Sequence, residues 1–572
     1  MRSYLHHQSG PVRQGNGGGS VSAPGYMPAP NRSAAVQDRI LPQGQYTSAE
    51  RIMPQGQYTH ADRILPQGRP DTEESVPRDP QIGIPPGMER RSGEEEARPP
   101  KRKGNGAYVA AAYLFVILFL SLIGYLVYFN VVKREEYLRS PYNKRQEALA
   151  ERIERGRILS ADGYILAETA SGSDGEEMRT YPFGRIFAHV VGYDSHGRSG
   201  VESIMNTTLL TSHADLRSRI MNMMLDRKDA GDDVVTTLNA RMQQAAYDAL
   251  GDRRGAVVAL DPKTGEVYVM LSKPDFDPNT IAADYADIIS EEGSSVLVNR
   301  ATQGRYVPGS TFKIVTALAY QRRFGITDAY SFDCEGAYTE AGHTVHCFNG
   351  AVHGVETLTD AFTNSCNCAF ANIGLTAGAE ELRETAESLL FNKALPSADL
   401  LYNNSSFTLD GTSGTALTMQ TAFGQGNTLT SPYHMALIVS AIANGGVLME
   451  PRIVRETRSF DGSLLSSASP KTYGELMTRR EASLLMTLMR GVTNGGPVTA
   501  FEDAGYLTGG KTGSADFVRA DGTLGTHAWF VGFAGKEEEP DIVIAVIVEE
   551  GYSGSRTAVP VAKSVFDCYY DR

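Results

Sequence analysis

A chain of 572 residues is several times what one ordinary domain needs, so at least two folded units and their linkers are expected. Hydrophobic residues at 41% and charged residues at 21% are close to globular averages and exclude a wholly disordered or collagen-like protein, despite 58 Gly. The net charge of −13 argues against a general nucleic-acid binder, and five Cys in this length exclude a disulfide-dense secreted scaffold.

Residues 1–106 are rich in Gly, Pro, Gln and Arg and hold no apolar run long enough for a core, which predicts a disordered tail. Within it a twelve-residue unit, Arg39 to Glu50, recurs from Arg51 to Asp62 and again, truncated, from Arg63 to Gly68. The period is too short for the usual helical solenoids. Two readings stand: a duplicated linker, or a tandem docking peptide for a cytoplasmic partner anchored by Ile, Leu or Met, and Tyr. Residues 107–132 carry no charge and are dominated by Leu, Ile, Val, Phe and Tyr, longer than the roughly 20 residues a membrane-spanning helix needs. The long stretch before this span argues against a cleaved signal peptide. Basic residues flank both ends, so charge alone does not orient it.

Residues 133–233 mix short strand-like runs with turn signals and read as a small β-rich module, with one hairpin turning at Asp162-Gly163. A second unit is expected over 234–572. It opens with a helix near Ala240 to Gly251, then a hairpin of Gly255 to Leu260 and Glu266 to Leu271 around Asp261-Pro-Lys-Thr-Gly265. Ala528 to Phe533 and Asp541 to Val548 read as neighbouring strands, and Val559 to Tyr569 as a closing helix. Strands at both ends with helices between them predict an α+β unit, an antiparallel sheet covered by helices.

Ser310-Thr-Phe-Lys313 precedes an apolar run and belongs at a helix start. Three residues apart, the hydroxyl and the amine share a face, and the helix N-terminus favours negative charge on the Ser oxygen, so the pair is a usable nucleophile and base. Ser365-Cys-Asn367 offers a hydroxyl and an amide two residues apart; by itself it also reads as a polar turn or cap. Lys-Thr-Gly occurs twice. Lys263 to Gly265 lies in the hairpin turn and reads as structural. Lys511 to Gly513 follows Thr508-Gly-Gly510 on a strand whose Gly residues would let another backbone approach, so that a peptide could pair along its edge.

The ordered set Ser310-x-x-Lys313, Ser365-x-Asn367, Lys511-Thr-Gly513 resembles that of the penicillin-recognising serine transferases and hydrolases. Arg155-Gly-Arg-Ile158 leading to Asp162-Gly163, and Gly197-Arg-Ser-Gly-Val-Glu202, look like the N-terminal module motifs of class B penicillin-binding proteins. Pro308-Gly309, Gly424-Gln-Gly426, Thr430-Ser-Pro432 and His527-Ala-Trp-Phe-Val-Gly532 are similar to that family too. The resemblance covers about residues 137–572. It implies the penicillin-recognising fold, preceded by a pedestal or dimerisation module, and a D,D-transpeptidase acting on peptidoglycan stem peptides ending in D-Ala-D-Ala, on a lipid-linked precursor or nascent glycan.

By the same resemblance, Ser310 would form the acyl-enzyme, Lys313 would be its base, Ser365 would relay a proton and Asn367 would bind the stem's amide. Lys511 and Thr512, with Gly513 and Ser514 on the same strand, would hold the terminal carboxylate, and the Ser310 and Ser514 N–H groups would form the oxyanion hole. β-lactams would acylate Ser310. No metal or other cofactor is required by this chemistry and no nucleic acid is expected. The stretch between span and catalytic unit is too short for a glycosyltransferase, so a SEDS-type membrane glycosyltransferase is the implied partner. The span would leave the N-terminus in the cytoplasm and the catalytic unit outside. A membrane-anchored β-lactamase, a β-lactam sensor and an inactive wall-synthesis scaffold are the competing readings. Cys334 and Cys347 bracket His343 and His346, with His353 close behind; a disulfide, a Cys/His metal site and two unpaired thiols all remain open. The resemblance gives Cys366 and Cys368 no role.

Overall fold

The structure is a computed structural model that describes residues 106–133, 149–171, 177–325, 329–396, 400–519 and 521–571. The expected disordered tail and its repeats lie outside the described residues. Gly106–Tyr128 forms α1, uncharged throughout and about 35 Å long at 1.5 Å per residue, enough to cross a bilayer's hydrocarbon core. Among the described residues it is the one helix long and apolar enough to do so.

β1 (Ile158–Leu159) and β2 (Ile165–Ser171) pair antiparallel as the hairpin expected around Asp162-Gly163. β3 (Glu177–Thr180) pairs with β2, and β4 (Asp233–Thr236) runs parallel to β1. The turn does more than reverse the chain. Asp162 Oδ1 accepts the Ala240 N–H at 2.9 Å, at the first residue of α2 (Ala240–Leu250), so it satisfies a helix-end donor that would otherwise be orphaned. The two motifs of this module meet in its interior. Arg155 Nε donates to Glu202 Oε2 at 2.6 Å, and Arg179 Nε donates to Glu202 Oε1 at 2.7 Å. Burial alone would raise the Glu202 pKa, but the two guanidiniums outweigh it and hold the carboxyl below its ordinary range.

β5 (Gly255–Leu260) and β6 (Val267–Lys273) form the second expected hairpin. α3 (Lys313–Phe324) runs through the interior, with every residue from Lys313 to Gln321 buried. Short strands follow: β7 (Phe332–Cys334), β8 (Ala337–Glu340), β9 (His343–His346) and β10 (Gly354–Glu356), in two antiparallel pairs, β8 with β9 and β7 with β10. After them come α4 (Asn367–Ala377) and the wholly buried α5 (Pro432–Ala443), which Ser431 caps by accepting the His434 N–H. β11 (Val454–Arg458) and β12 (Leu464–Ser467) then return to the first sheet, giving it the order β12-β11-β4-β1-β2-β3. That sheet is therefore completed by residues more than two hundred positions downstream of β4, a pairing with no local signal.

α6 (Arg479–Thr493) packs along β13 (Leu507–Val518); β14 (Leu524–Gly535), β15 (Ile542–Val548) and the closing α7 (Val559–Tyr570) end the chain. The second sheet has the order β13-β14-β15-β5-β6, every pair antiparallel. All residues of β15 are buried, with α5 and α7 packed against it, which is the covered antiparallel sheet the sequence predicts. One continuous apolar core links the two sheets, from Ile158 and Val234 to Trp529 and Phe566.

Replacing Glu202 with Gln leaves two guanidiniums short of their counter-charge in a buried site. The Glu202→Gln protein is expected to lose about 3–5 kcal/mol of stability, measured by chemical denaturation of the detergent-solubilised chain.

Candidate active site

Ser310 lies in a tight turn, Gly309–Phe312, that runs directly into α3, whose first residue is Lys313. The turn is braced on several sides. Gly309 takes φ +55, a conformation that favours glycine, and its N–H donates to the Gly424 carbonyl at 2.9 Å. Gly424 itself has φ +91, and a Cβ there would stand 1.7 Å from the Gly309 oxygen, so the backbones touch because Gly424 has no side chain. Thr311 Oγ1 donates to the Pro308 carbonyl at 2.7 Å, and Trp529 Nε1 donates to the Val307 carbonyl at 3.0 Å. Ser310 is half-buried.

Position one of a helix whose first nine residues are all buried carries the Lys313 amine into the interior, where polar partners must replace water. Lys313 Nζ donates to the Ser365 carbonyl at 2.6 Å, to Ser365 Oγ at 3.1 Å and to Asn367 Oδ1 at 2.9 Å. These partners match the three protons of an ammonium, and the Phe370 ring lies 5.3 Å from Nζ. Burial nevertheless dominates and lowers the Lys313 pKa to about 7. Ser365 holds φ +57, uncommon for a residue with a side chain, and Asn367 starts α4 with its Nδ2 donating to the His346 carbonyl at 3.2 Å.

Lys511, Thr512, Gly513 and Ser514 lie on β13, an edge strand, beside the Ser310 turn. A Cβ on Gly513 would stand 3.1 Å from the Pro308 oxygen, and one on Gly309 would stand 2.8 Å from the Ser514 oxygen. Lys511 is buried, with Phe362 5.6 Å from Nζ. Burial first, and then the Lys313 charge, push its pKa well below the ordinary range. Gly509 and Gly510 also make room for aromatic rings. Phe533 and Phe530 lie against them, with ring carbons 2.3 Å and 2.5 Å from where Cβ atoms would be. The other Lys-Thr-Gly is in the β5–β6 turn, where exposed Lys263 pairs with Glu539 at 2.6 Å.

The structure thus brings Lys313, Ser365 and Asn367 into direct contact and sets Ser310 and the Lys511 to Ser514 strand beside them. One supporting set had no signal in the sequence. Glu549, just past β15, accepts from Tyr306 OH at 2.7 Å, Arg300 Nε at 2.7 Å and Arg254 Nε at 2.8 Å, which anchors the segment leading into Ser310. Its members are too far apart in sequence to form a pattern. The cysteines are thiols, not a disulfide: Cys334 and Cys347 Sγ are 3.6 Å apart, against about 2.05 Å for a bond.

Residues 255–567 match the penicillin binding protein transpeptidase domain, and residues 155–234 match the penicillin binding protein A dimerisation domain. The chain is 30% identical over 481 residues to the peptidoglycan D,D-transpeptidase PbpA of Mycolicibacterium smegmatis, covering 79% of this chain and 96% of that one. Among solved structures it resembles penicillin-binding protein A of M. tuberculosis in a ceftriaxone acyl-enzyme complex, with TM-score 0.66 and 28% identity over 73% of this chain and 99% of that one. A D,D-transpeptidase domain from Eggerthella lenta matches with TM-score 0.65 and 33% identity, over 73% and 99% of the two chains.

Gly424→Ala is expected to displace the Ser310 turn, destabilising the protein by at least about 2 kcal/mol and slowing acylation of the protein by a reactive ester about tenfold or more. Gly163→Ala, at φ +86 but facing open space, is expected to cost about 1 kcal/mol and leave acylation unchanged. Thermal unfolding and burst kinetics of the two variants check the contrast.

Proposed function

The chain belongs to the penicillin binding protein transpeptidase family, and from that membership we propose that Ser310 is its nucleophile and Lys313 the base that activates it. The protein is a peptidoglycan D,D-transpeptidase, a serine-type acyl-transfer enzyme, and β-lactams acylate it. The observation that carries the residue roles is the water-poor nest in which Lys313 Nζ faces Ser365 Oγ and Asn367 Oδ1. There an amine with a pKa of about 7 is neutral in a large fraction of molecules at neutral pH and can accept a proton.

Neutral Lys313 takes the Ser310 proton as Oγ bonds to the carbonyl carbon of the penultimate D-Ala. The N–H groups of Ser310 and Ser514 receive the developing oxyanion, an interaction whose loss costs about 3–4 kcal/mol in comparable sites. The proton then passes to the nitrogen of the terminal D-Ala through Ser365, whose hydroxyl can both accept from Lys313 and donate onward. The C–N bond breaks, D-Ala leaves, and the stem remains as an ester of Ser310. An amine from a neighbouring stem attacks that ester, returns a proton to Ser310 by the reverse route, and completes the cross-link. Asn367 orients Lys313 through Oδ1 and offers an amide N–H to the stem. Lys511 and Thr512 bind the terminal carboxylate. Burial and the Lys313 charge disfavour the Lys511 ammonium, and a substrate carboxylate supplies the counter-charge that stabilises it.

The substrate dictates the topology: α1 anchors the chain once in the cell membrane, with the N-terminus cytoplasmic and the catalytic unit outside, where stem peptides are. The pedestal spans about residues 133–233 and the transpeptidase unit 234–572. Glycan polymerisation then falls to a partner, a SEDS-type membrane glycosyltransferase.

Brief exposure of the detergent-solubilised full chain to a penicillin should give one adduct by intact mass, lasting minutes or longer and absent in Ser310→Ala. Its rate of formation should rise about tenfold per pH unit below about pH 7 and level off above, because the neutral amine is the active form. A flat profile excludes Lys313 as the base, and rapid return to the unmodified mass with release of penicilloic acid points to a hydrolase. Lys511→Ala should slow acylation about 10- to 100-fold, the worth of one charged hydrogen bond, while Lys263→Ala, exposed in its turn, should change it less than about twofold.

A further inference from the structure

The thiols that the sequence left open form a cluster in space. Cys334 ends β7, Cys347 follows β9, His353 precedes β10, and Cys366 is the middle residue of Ser365-Cys366-Asn367. The donor atoms of all four lie within 4.8 Å of one another, and the three Cys are buried. Cys334 Sγ is 3.6 Å from Cys347 Sγ and 3.4 Å from His353 Nδ1, and Cys347 Sγ is 3.6 Å from Cys366 Sγ. A tetrahedral zinc with Zn–S of about 2.3 Å and Zn–N of about 2.0–2.1 Å sets its ligand atoms about 3.6–3.8 Å apart. These three spacings are close to those edges, the remaining pairs lie within 4.8 Å, and none approaches a sulfur–sulfur bond.

We propose that Cys334, Cys347, His353 and Cys366 bind one soft divalent cation, zinc by preference, in a closed structural site that staples the Ser365-Cys366-Asn367 triplet to the β7–β10 strands. Three thiolates and an imidazole select zinc over magnesium or calcium, which prefer oxygen. Cys368, hydrogen-bonded to Cys347 at 3.5 Å, is a neighbour of the site rather than a ligand. The staple has a mechanical purpose. Ser365 must hold φ +57, an uncommon conformation for a residue with a side chain, while its carbonyl and hydroxyl and the Asn367 amide all receive Lys313 Nζ. Tying down Cys366 between them fixes both contacts at once.

The four are positioning residues, and this role rests on the Ser310 reading; metal content does not, so the two can fail separately. The full chain, purified in detergent under reducing conditions without chelator, should carry one zinc by elemental analysis. Grown with cobalt, it should show the thiolate-to-cobalt charge-transfer band of a tetrahedral site. Cys334→Ser and His353→Ala should lose the metal, His353→Cys should keep it, and Cys568→Ser, outside the cluster, should retain both metal and acylation. His353→Ala should acylate with penicillin about 10- to 100-fold more slowly, and His353→Cys should recover most of that loss, which a folding defect alone would not explain. A chain that holds no zinc after equilibration and desalting overturns the site. So does a mass two hydrogens lower from a Cys334–Cys347 disulfide, or zinc that survives both ligand substitutions. Zinc lost from His353→Ala with unchanged acylation overturns the positioning role, and zinc present without any Ser310 adduct faults the catalytic reading instead.

Discussion

A lysine amine taken out of water has to be held by acceptors and yet be ready to give up its charge, and the architecture follows from meeting both demands at Lys313. Its three contacts to Ser365 and Asn367 favour the ammonium, while enclosure of α3 favours the neutral form. The balance falls at about 7 because burial outweighs the opposing electrostatic pull of nearby Cys366, Cys347 and Glu356. A more exposed helix start would leave the amine protonated and useless as a base. A site with fewer acceptors would leave a buried donor unpaired.

Holding that balance requires that two backbone segments far apart in sequence stay in register. The Ser310 turn is set by glycines at 309 and 424, whose backbones are in contact, and by Trp529 reaching back to Val307. The Ser365 segment is set by an unusual backbone conformation and by its neighbours on both sides. Its three residues divide their work: the outer two turn to Lys313, and the middle one turns to the thiols of the β7–β10 region. Catalytic geometry and the cysteine cluster are therefore two sides of one short stretch of chain. Preorganisation of this kind matters because misplacing a reacting group by about 1 Å can cost two orders of magnitude in rate.

The pedestal shows the same economy. Arg155 and Glu202, from two separate motifs, form with Arg179 a buried charged group in which each member is paired. Such a group adds little net stability over apolar packing, but removing one member is costly, so it specifies how the module's segments meet. Strands β11 and β12 reach into the same sheet from the catalytic unit, and the two units share one core.

Local chemistry made much of this readable in the residues alone. The apolar span, both hairpins, the closing helix and the difference between the two Lys-Thr-Gly triplets follow from periodicity and turn preferences, which act over a few residues. Ser310 and Lys313 share a helix start, and the ordering of the three motifs supported a family resemblance. Other features depended on contacts between distant segments, which leave no trace in local pattern. Glu549 bracing Tyr306, β11 joining β4 and the gathering of Cys334, Cys347, His353 and Cys366 are of this kind. At Gly509 and Gly510 a strand glycine reports that something lies close, and only packing shows that the rings of Phe533 and Phe530 are part of it. Sequence put Ser310 and Lys313 on one helix start; the lowered pKa of the Lys313 amine is a tertiary property, because burial is the sum of everything packed around it.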